Sequence, residues 1–190
     1  MYFVSFDIDF NKTKYALVDA KGQIYDKLEY DTPTNTKESL YMEIIKVVNN
    51  YCLQHEISGV CISLKAIVNP KKGIILNSKE IKVLENVNLK EELEELLLID
   101  VSVENSEKCA ANTEIWIGKA KKYKDIIYIS IDDDVGGAII KNKKTHHGSD
   151  YLAGEFGMML VTDYLEGINT WENLISLSKN KIKIYECLCQ

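Results

Sequence analysis

Polar and apolar residues alternate through the first thirty positions of the chain, in three short segments separated by polar residues. Residues 2–8, 14–18 and 23–30 each follow the two-residue period of a half-buried strand. The tetrapeptide at residues 19–22, Asp-Ala-Lys-Gly, has the composition of a tight turn. The pattern therefore predicts an antiparallel meander of three strands at the start of the chain.

A helical period follows the meander. Apolar residues recur there at intervals of three or four, at Leu40, Ile44, Val47, Val48 and Tyr51. Asn35 or Thr36 can cap this helix, because either side chain can accept a hydrogen bond from the first helical turn. A short apolar strand is predicted next, at residues 59–64.

Two more helices are indicated before residue 120. The first is marked by leucines at helical spacing, Leu89, Leu93, Leu96 and Leu97, and leads into a strand at residues 99–103. The second begins at Asn105 or Ser106, either of which can act as its N-cap. Its predicted buried face consists of Ala110, Thr113, Ile117 and Ala120.

The strongest strand signal lies at residues 126–131, Ile-Ile-Tyr-Ile-Ser-Ile, and ends in three aspartates. Residues 136–141 can return as the hairpin partner of this strand. A loop over residues 143–157 and a helix from about residue 170 to 178 complete the pattern. Sheet and helix alternate throughout, which predicts an α/β fold with a second unit that repeats the opening design.

Composition narrows the classes of function. The 190 residues are 46% apolar, enough for a buried core, and the net charge of −6 comes without a basic stripe, so we expect no direct nucleic-acid binding. No apolar run approaches the roughly 20 residues that span a membrane, and the N-terminus lacks the basic region of a signal peptide. The sequence therefore predicts a cytoplasmic protein.

Four stretches occur in a fixed order along the chain: residues 16–19 (Ala-Leu-Val-Asp), 70–77, 103–105 (Val-Glu-Asn) and 154–157 (Gly-Glu-Phe-Gly). In this order they resemble the ROK family of bacterial sugar kinases and sugar-responsive regulators of the NagC/XylR type. The resemblance implies an actin-like ATPase, ribonuclease H-like α/β fold, with two lobes around a cleft for sugar and nucleotide. Residues 1–118 would form a complete N-terminal lobe, and residues 119–190 the start of the second.

Both phosphate-binding loops of the family are altered. Where active relatives have Asp-Ile-Gly-Gly-Thr-Lys, this chain has Asp7-Ile8-Asp9-Phe10-Asn11-Lys12. Glycine lets a backbone approach a ligand closely, so Asp9 and Phe10 add bulk and negative charge there.

The second loop of the family is usually Gly-Thr-Gly-Ile-Gly-Gly-Gly. The matching residues here are Asp132-Asp133-Asp134-Val135-Gly136-Gly137-Ala138, so three carboxylates replace small residues. These aspartates are either a solvated turn, which we favour, or a site for a divalent cation, which such carboxylates can bind.

The resemblance places Ser106 at the position of the catalytic aspartate in the family motif Asn-Asp-Ala-Asn. A serine hydroxyl is a poor proton acceptor at neutral pH, so no catalytic residue is expected. Glu107 lies one residue, or about 100°, further around the helix. Ser106 can instead serve as a helix cap.

Sugar-contacting positions of the family are better retained, at Asn105, Glu155 and Glu172. Asn105 can alternatively be a helix cap, and Glu172 a carboxylate favoured in a first helical turn. Glu155 is the best candidate, since a carboxylate between loop glycines has little evident structural role. His146 and His147, in the preceding loop, either line the sugar cleft or are exposed loop residues.

The structural zinc of the family is not expected here. Met158 replaces the histidine ligand, and no cysteine lies between Cys109 and Cys187, where the family has three. We therefore predict no metal and no bound cofactor.

The retained sugar positions beside altered phosphate loops favour a non-catalytic module that binds a sugar or a sugar phosphate, such as the effector domain of a transcriptional regulator. Two alternatives stay open. One is an ATP-dependent, glucokinase-like sugar kinase, which would require Mg-ATP, and the other is a structural remnant that binds no sugar. The family resemblance also suggests a homodimer, without membrane association.

Overall fold

The structure is a computed structural model that describes residues 1–132, 134–163 and 167–178. Its strands form a five-stranded sheet, a three-stranded sheet and two smaller hairpins. Helices pack against the two larger sheets, as the predicted α/β class requires.

The chain opens with an antiparallel meander of strands β1 (Tyr2–Ile8), β2 (Lys12–Asp19) and β3 (Ile24–Asp31). Gly22 closes the turn between β2 and β3 with a φ of +82°, a left-handed conformation that suits glycine. The predicted meander is confirmed, with β2 starting at Lys12 rather than at residue 14.

Helix α1 (Lys37–Cys52) begins after Thr36, whose side chain accepts a hydrogen bond from the backbone N–H of Ser39. Strand β4 (Ile57–Leu64) follows and pairs in parallel with β1. The chain then makes a hairpin of β5 (Ile67–Asn69) and β6 (Ile74–Asn77) that the sequence pattern did not predict.

Helix α2 (Leu89–Leu97) follows a single 3₁₀ turn at Lys82–Leu84. It ends at Leu98, which has a left-handed backbone conformation with φ 56°. This cap delays the next strand, so β7 spans Val101–Asn105 instead of residues 99–103. Strand β7 pairs in parallel with β4 and completes the sheet order β3-β2-β1-β4-β7.

Helix α3 (Ser106–Trp116) begins where predicted, but the predicted buried face is wrong. Lys108, Ala111 and Ile115 are its buried residues, and the helix ends before Ile117. The pattern was misread because Lys108 counts as polar in a sequence and is nevertheless buried.

The second sheet is antiparallel and consists of β8 (Ile126–Ile131), β9 (Val135–Lys141) and β10 (Lys144–His146), in the order β10-β9-β8. The predicted hairpin of β8 and β9 is confirmed. Strand β10 occupies part of the segment predicted as a loop, because its three residues pair with the end of β9.

The last described elements are a 3₁₀ turn (Phe156–Met158), the hairpin strands β11 (Leu160–Asp163) and β12 (Gly167–Thr170), and helix α4 (Trp171–Ser178). The helix agrees with the prediction for residues 170–178. The 3₁₀ turn contacts β9 and α4, and so brings the end of the described chain against the second sheet.

The main core lies between the five-stranded sheet and helices α1 and α2. Its largest fully buried apolar side chains include Phe6, Leu40, Ile44, Leu64 and Leu93. A smaller core joins α3 to the second sheet through Ala111, Ile115, Ala138 and Ile140. No helix among the described residues has the length and apolar character needed to cross a membrane.

Candidate functional site

A cleft lies between the carboxyl ends of β4 and β7 in the first sheet and the β8–β9 turn of the second. The side chains that line it come from both halves of the chain and include Lys65, Asn105, Glu107, Asp134, Glu155, Met158 and Glu172. The cavity volume is about 100 Å³, below the roughly 300–1,000 Å³ of common ligand pockets. The three predicted sugar contacts, Asn105, Glu155 and Glu172, therefore meet in one place.

Asn105 is buried at the end of β7 and caps α3. Its side-chain oxygen accepts a hydrogen bond from the backbone N–H of Lys108 at 3.1 Å, and its amide nitrogen donates to the carbonyl of Ala66 at 2.9 Å. The cap is Asn105, so the alternative that Ser106 caps the helix is wrong. Ser106 is the first helical residue.

Glu155 has a structural partner that the sequence analysis missed. Lys108, with only 1% of its side chain exposed, donates to Glu155 Oε1 at 2.9 Å and lies 3.4 Å from the carbonyl of Tyr151. The described residues donate no hydrogen bond to the second oxygen of Glu155. The expectation that Glu155 has little structural role is therefore wrong, because its carboxylate neutralises a buried ammonium.

Gly154 sets the position of Glu155. Its φ is +87°, and a Cβ at this position would lie 2.7 Å from the Cα of Ala138 in β9. Any larger residue would clash with backbone there and would have to adopt a conformation that L-residues avoid. The loop can approach the second sheet only because this residue is glycine.

The side chain of Glu107, in the first turn of α3, lies against Gly136 at the start of β9. Ser130 Oγ donates to Glu107 Oε2 at 2.6 Å, and the side chain lies over Gly136, where a Cβ would be 2.6 Å from Glu107 Cγ. A carboxylate is therefore packed on one of the two glycines predicted for the second phosphate loop. Gly137 faces Phe156 and the carbonyl of Tyr128 instead.

Three lysine–carboxylate pairs, here named the cross-cleft pairs, join residues before position 119 to residues after it. They are Lys65 with Asp134, Lys79 with Glu172 at 3.1 Å, and Lys108 with Glu155. Lys65 also lies 3.4 Å from Glu80. Partial burial lowers the pKa of Lys65, but the hydrogen bond and charge of Asp134 outweigh it, and the net pKa is raised.

Of the three aspartates after β8, Asp132 is exposed and Asp134 lines the cleft, whereas Asp133 lies outside the described residues. In the described part of the chain, no three histidine, cysteine, aspartate or glutamate side chains are arranged to hold a metal ion. Met158, at the position where the family has a histidine, is among the residues that line the cleft.

The first predicted phosphate loop lies apart from the cleft lining. The backbone N–H of Asp9 donates to the carbonyl of Lys12 at 3.2 Å, so the β1–β2 turn is closed around Asn11. Lys12 is paired with Asp31 at 2.9 Å, and Asp7 accepts from Ser63 at 2.8 Å. None of the predicted loop residues belongs to the described lining of the cleft.

Neither His146 nor His147 belongs to the described lining of the cleft, and the side chain of His146 is exposed. The Nε2 atom of His147 lies 2.7 Å from Glu104 Oε2, at the end of β7. Cys109, in the second turn of α3, is also close by, and burial, followed by the charges of Glu104 and Asp7, raises its pKa to about 12.

Comparison with known proteins identifies the family of this chain by sequence and by fold. The sequence profile described as "ROK family" matches residues 3–189. A β-glucoside kinase of Listeria monocytogenes is 36% identical over 104 residues, which are 55% of this chain and 35% of that protein. A ROK family glucokinase from Streptomyces griseus, solved with glucose and AMPPNP, has a TM-score of 0.75 at 28% identity, over 85% of this chain and 51% of its own.

A ROK family transcriptional regulator, a homologue of the E. coli MLC protein, shares the fold at 17% identity. Its TM-score is 0.82 over 94% of this chain and 48% of the regulator. The chain thus spans about half, or less, of the length of these relatives. The predicted actin-like, ribonuclease H-like fold is confirmed, with the second lobe present in part, and the chain belongs to the ROK family.

Proposed function

We propose that this chain is a non-catalytic sugar-binding module of the ROK family, of the kind that serves as the effector domain of a regulator. The observation that carries the proposal is the contrast between the predicted sugar contacts and the predicted phosphate loop in the cleft. Asn105, Glu155 and Glu172 line it together, while the carboxylate of Glu107 fills the space over Gly136. The two-lobe division at residues 118 and 119 is part of the proposal.

The sugar side of the cleft offers groups that suit hydroxyl recognition. Glu155 has one oxygen on Lys108, and its second oxygen can accept a bond from a ligand hydroxyl. Glu172 is held near it from the first turn of α4 by Lys79. Carboxylates fixed by lysines are preorganised acceptors, and hydrogen bonds to charged groups contribute about 1.5–3 kcal/mol each.

The phosphate side is unsuited to a nucleotide. A phosphate bound over Gly136 would meet the carboxylate of Glu107, with Asp134 also in the lining. Two like unit charges about 4 Å apart repel by roughly 4 kcal/mol at an effective dielectric constant near 20. The residues present do not fit a triphosphate, and we propose no phosphoryl transfer.

The charge of the cleft also favours a neutral or amino sugar over a sugar phosphate. Five carboxylates and two lysines line the cavity, with Lys108 buried behind Glu155. The lining is therefore net negative, and both of its lysines are already paired with carboxylates. A phosphorylated sugar would have to break one of these pairs to gain a cation.

Titration calorimetry tests the proposal, with glucose, a β-glucoside, N-acetylglucosamine, glucose 6-phosphate and Mg-ATP as ligands. The named relatives, which include a β-glucoside kinase and an N-acetyl-D-glucosamine kinase, supply the choice of sugars. We expect one neutral sugar to bind and Mg-ATP not to bind. Glu172→Gln should weaken the binding of that sugar about 10- to 150-fold, because a hydrogen bond to a charged group is lost. Glu95→Gln, on the exposed face of α2, is the matched control.

Two other outcomes would replace the proposal. Transfer of phosphate from Mg-ATP to a sugar would establish the kinase alternative, which the names of the relatives favour. In that event the cleft carboxylate of Glu107, rather than Ser106, would be the base to test. No binding of any sugar would establish the structural remnant, which the small cavity volume and the paired carboxylates favour.

A further inference from the structure

A second pocket, here named the tyrosine pocket, lies between the β1–β3 meander and the last turns of α1. Its volume is about 390 Å³, within the roughly 300–1,000 Å³ of common ligand pockets. It shares no lining residue with the cleft. Tyr2 opens β1, whose last residue, Ile8, pairs with the cleft end of β4 at Leu64, about 20 Å away. Four tyrosines line the pocket, Tyr2, Tyr15, Tyr25 and Tyr51.

The aromatic rings of the tyrosine pocket meet at steep angles. The rings of Tyr2 and Tyr25 are inclined at 78° with centroids 5.5 Å apart, and those of Tyr15 and Tyr51 at 71° and 6.4 Å. The ring of His55 lies 5.0 Å from that of Tyr2. Three of the tyrosines are only half-buried, and Tyr25 is 56% exposed. Rings inclined in this way form adjoining walls of a cage rather than a closed stack.

The charge of the tyrosine pocket is negative. In the part of the chain that the structure describes, no lysine or arginine belongs to its lining, whereas Asp26 does. Tyr51 Oη donates to Asp26 Oδ2 at 3.1 Å and so orients the carboxylate, while Oδ1 accepts no hydrogen bond from the described residues. A second carboxylate, Asp19, accepts from Tyr25 Oη at 3.0 Å. These charges disfavour an anionic ligand and favour a cationic one.

We infer that the tyrosine pocket binds a small organic cation that carries an alkylated ammonium group. Ring faces attract such a cation, and ammonium groups with alkyl substituents are the ligands that aromatic cages commonly recognise. The alkyl groups would contact the rings and the apolar side chains of Leu28 and Val47, and the positive charge would lie near Asp26. Both the charge and the apolar surface of the ligand are therefore required. This inference does not depend on a sugar in the cleft.

Titration calorimetry with choline chloride tests this inference. The matched ligand is the neutral alcohol in which a tert-butyl group replaces the trimethylammonium group of choline, because it has the same shape without the charge. We expect choline to bind with a dissociation constant of about 1 mM or lower. The neutral alcohol should bind at least about tenfold more weakly, since it keeps the apolar contacts and loses the attraction to the rings and the carboxylate.

Four variants locate the site. Asp26→Asn removes the charge with little change of shape and should weaken choline binding at least about fivefold. Glu29→Gln removes a charge from the same strand outside the lining and should leave binding unchanged. Tyr25→Leu should weaken choline about 2- to 5-fold, the factor that corresponds to one cation–π contact at an exposed site, whereas Tyr25→Phe keeps the ring and should not. Thermal unfolding verifies that all four variants are folded.

The inference is overturned if choline gives no saturable heat up to about 10 mM. It is equally overturned if the neutral alcohol binds as tightly as choline, because the pocket would then select apolar shape alone. A third contrary result is that Glu29→Gln weakens choline as much as Asp26→Asn does, which would show attraction to the negative chain as a whole and not to this pocket.

Discussion

The buried pair of Lys108 and Glu155 gives the sharpest test of how the cleft is held. Lys108→Met removes the ammonium but keeps an unbranched side chain of similar length, so the change removes charge with little loss of packing. Glu155 would then keep its carboxylate without the cation that neutralises it. We expect this single substitution to destabilise the folded chain more than a charge removal at any exposed pair.

The expected loss of unfolding free energy depends on how deeply the pair is buried. Removing one partner of a fully buried ion pair costs about 3–5 kcal/mol, because the other charge is left uncompensated. The side chain of Glu155 is 21% exposed, so water reaches it, and we expect about 2–3 kcal/mol. Lys79→Met breaks the far more exposed pair with Glu172 and should cost at most about 1 kcal/mol. For a chain of this size, Lys108→Met should lower Tm by about 4–12 °C.

Urea unfolding and thermal unfolding measure both variants. The double variant Lys108→Met/Glu155→Gln should recover part of the loss, because it leaves no uncompensated charge. Its cost should fall at least about 1 kcal/mol below the sum of the two single changes. The reasoning is refuted if Lys108→Met costs no more than Lys79→Met, or if the double variant is simply additive.

Two further predictions concern titratable groups. Burial raises the pKa of Cys109 to about 12, so a thiol reagent at pH 8 should label the exposed Cys52 much faster than Cys109 in the native chain. In urea the reagent should label both cysteines at equal rates. Peptide mapping measures the two rates, and equal rates in the native chain would contradict this prediction. Burial and the hydrogen bond to Asp26 raise the pKa of Tyr51 from 10.0 to about 12. The folded state thus holds this proton more tightly than the unfolded state, so the free energy of unfolding should fall as pH rises from about 10 to 12. Tyr51→Phe should remove that part of the fall, and an unchanged pH profile would count against the assignment.

The sequence predicted those elements whose burial follows one regular period. The meander, helix α1 and the β8–β9 hairpin each carry a repeating apolar pattern longer than one turn or pair, and each is confirmed. The β5–β6 hairpin and strand β10 were missed, because strands of three or four residues are too short to show a period. Their pairing depends on neighbours that are formed by the fold.

The candidate site was predicted in outline but not in its contacts. The resemblance to the family's motifs indicated that Asn105, Glu155 and Glu172 contribute to one sugar site, and all three line the cleft. The partners of the two carboxylates could not be predicted in this way. Lys79 and Glu172 are 93 residues apart, and no local pattern relates them. The burial of Lys108 likewise depends on a loop that arrives later in the chain.

The cross-cleft pairs have one further consequence, which concerns how this chain can change over time. In all three pairs the lysine precedes position 119 in the sequence and the carboxylate follows it. Reversing a single charge would therefore place like charges face to face. A reciprocal exchange of lysine and carboxylate would restore the attraction. In related chains that keep this cleft, the two positions of each pair are therefore expected to vary jointly rather than independently.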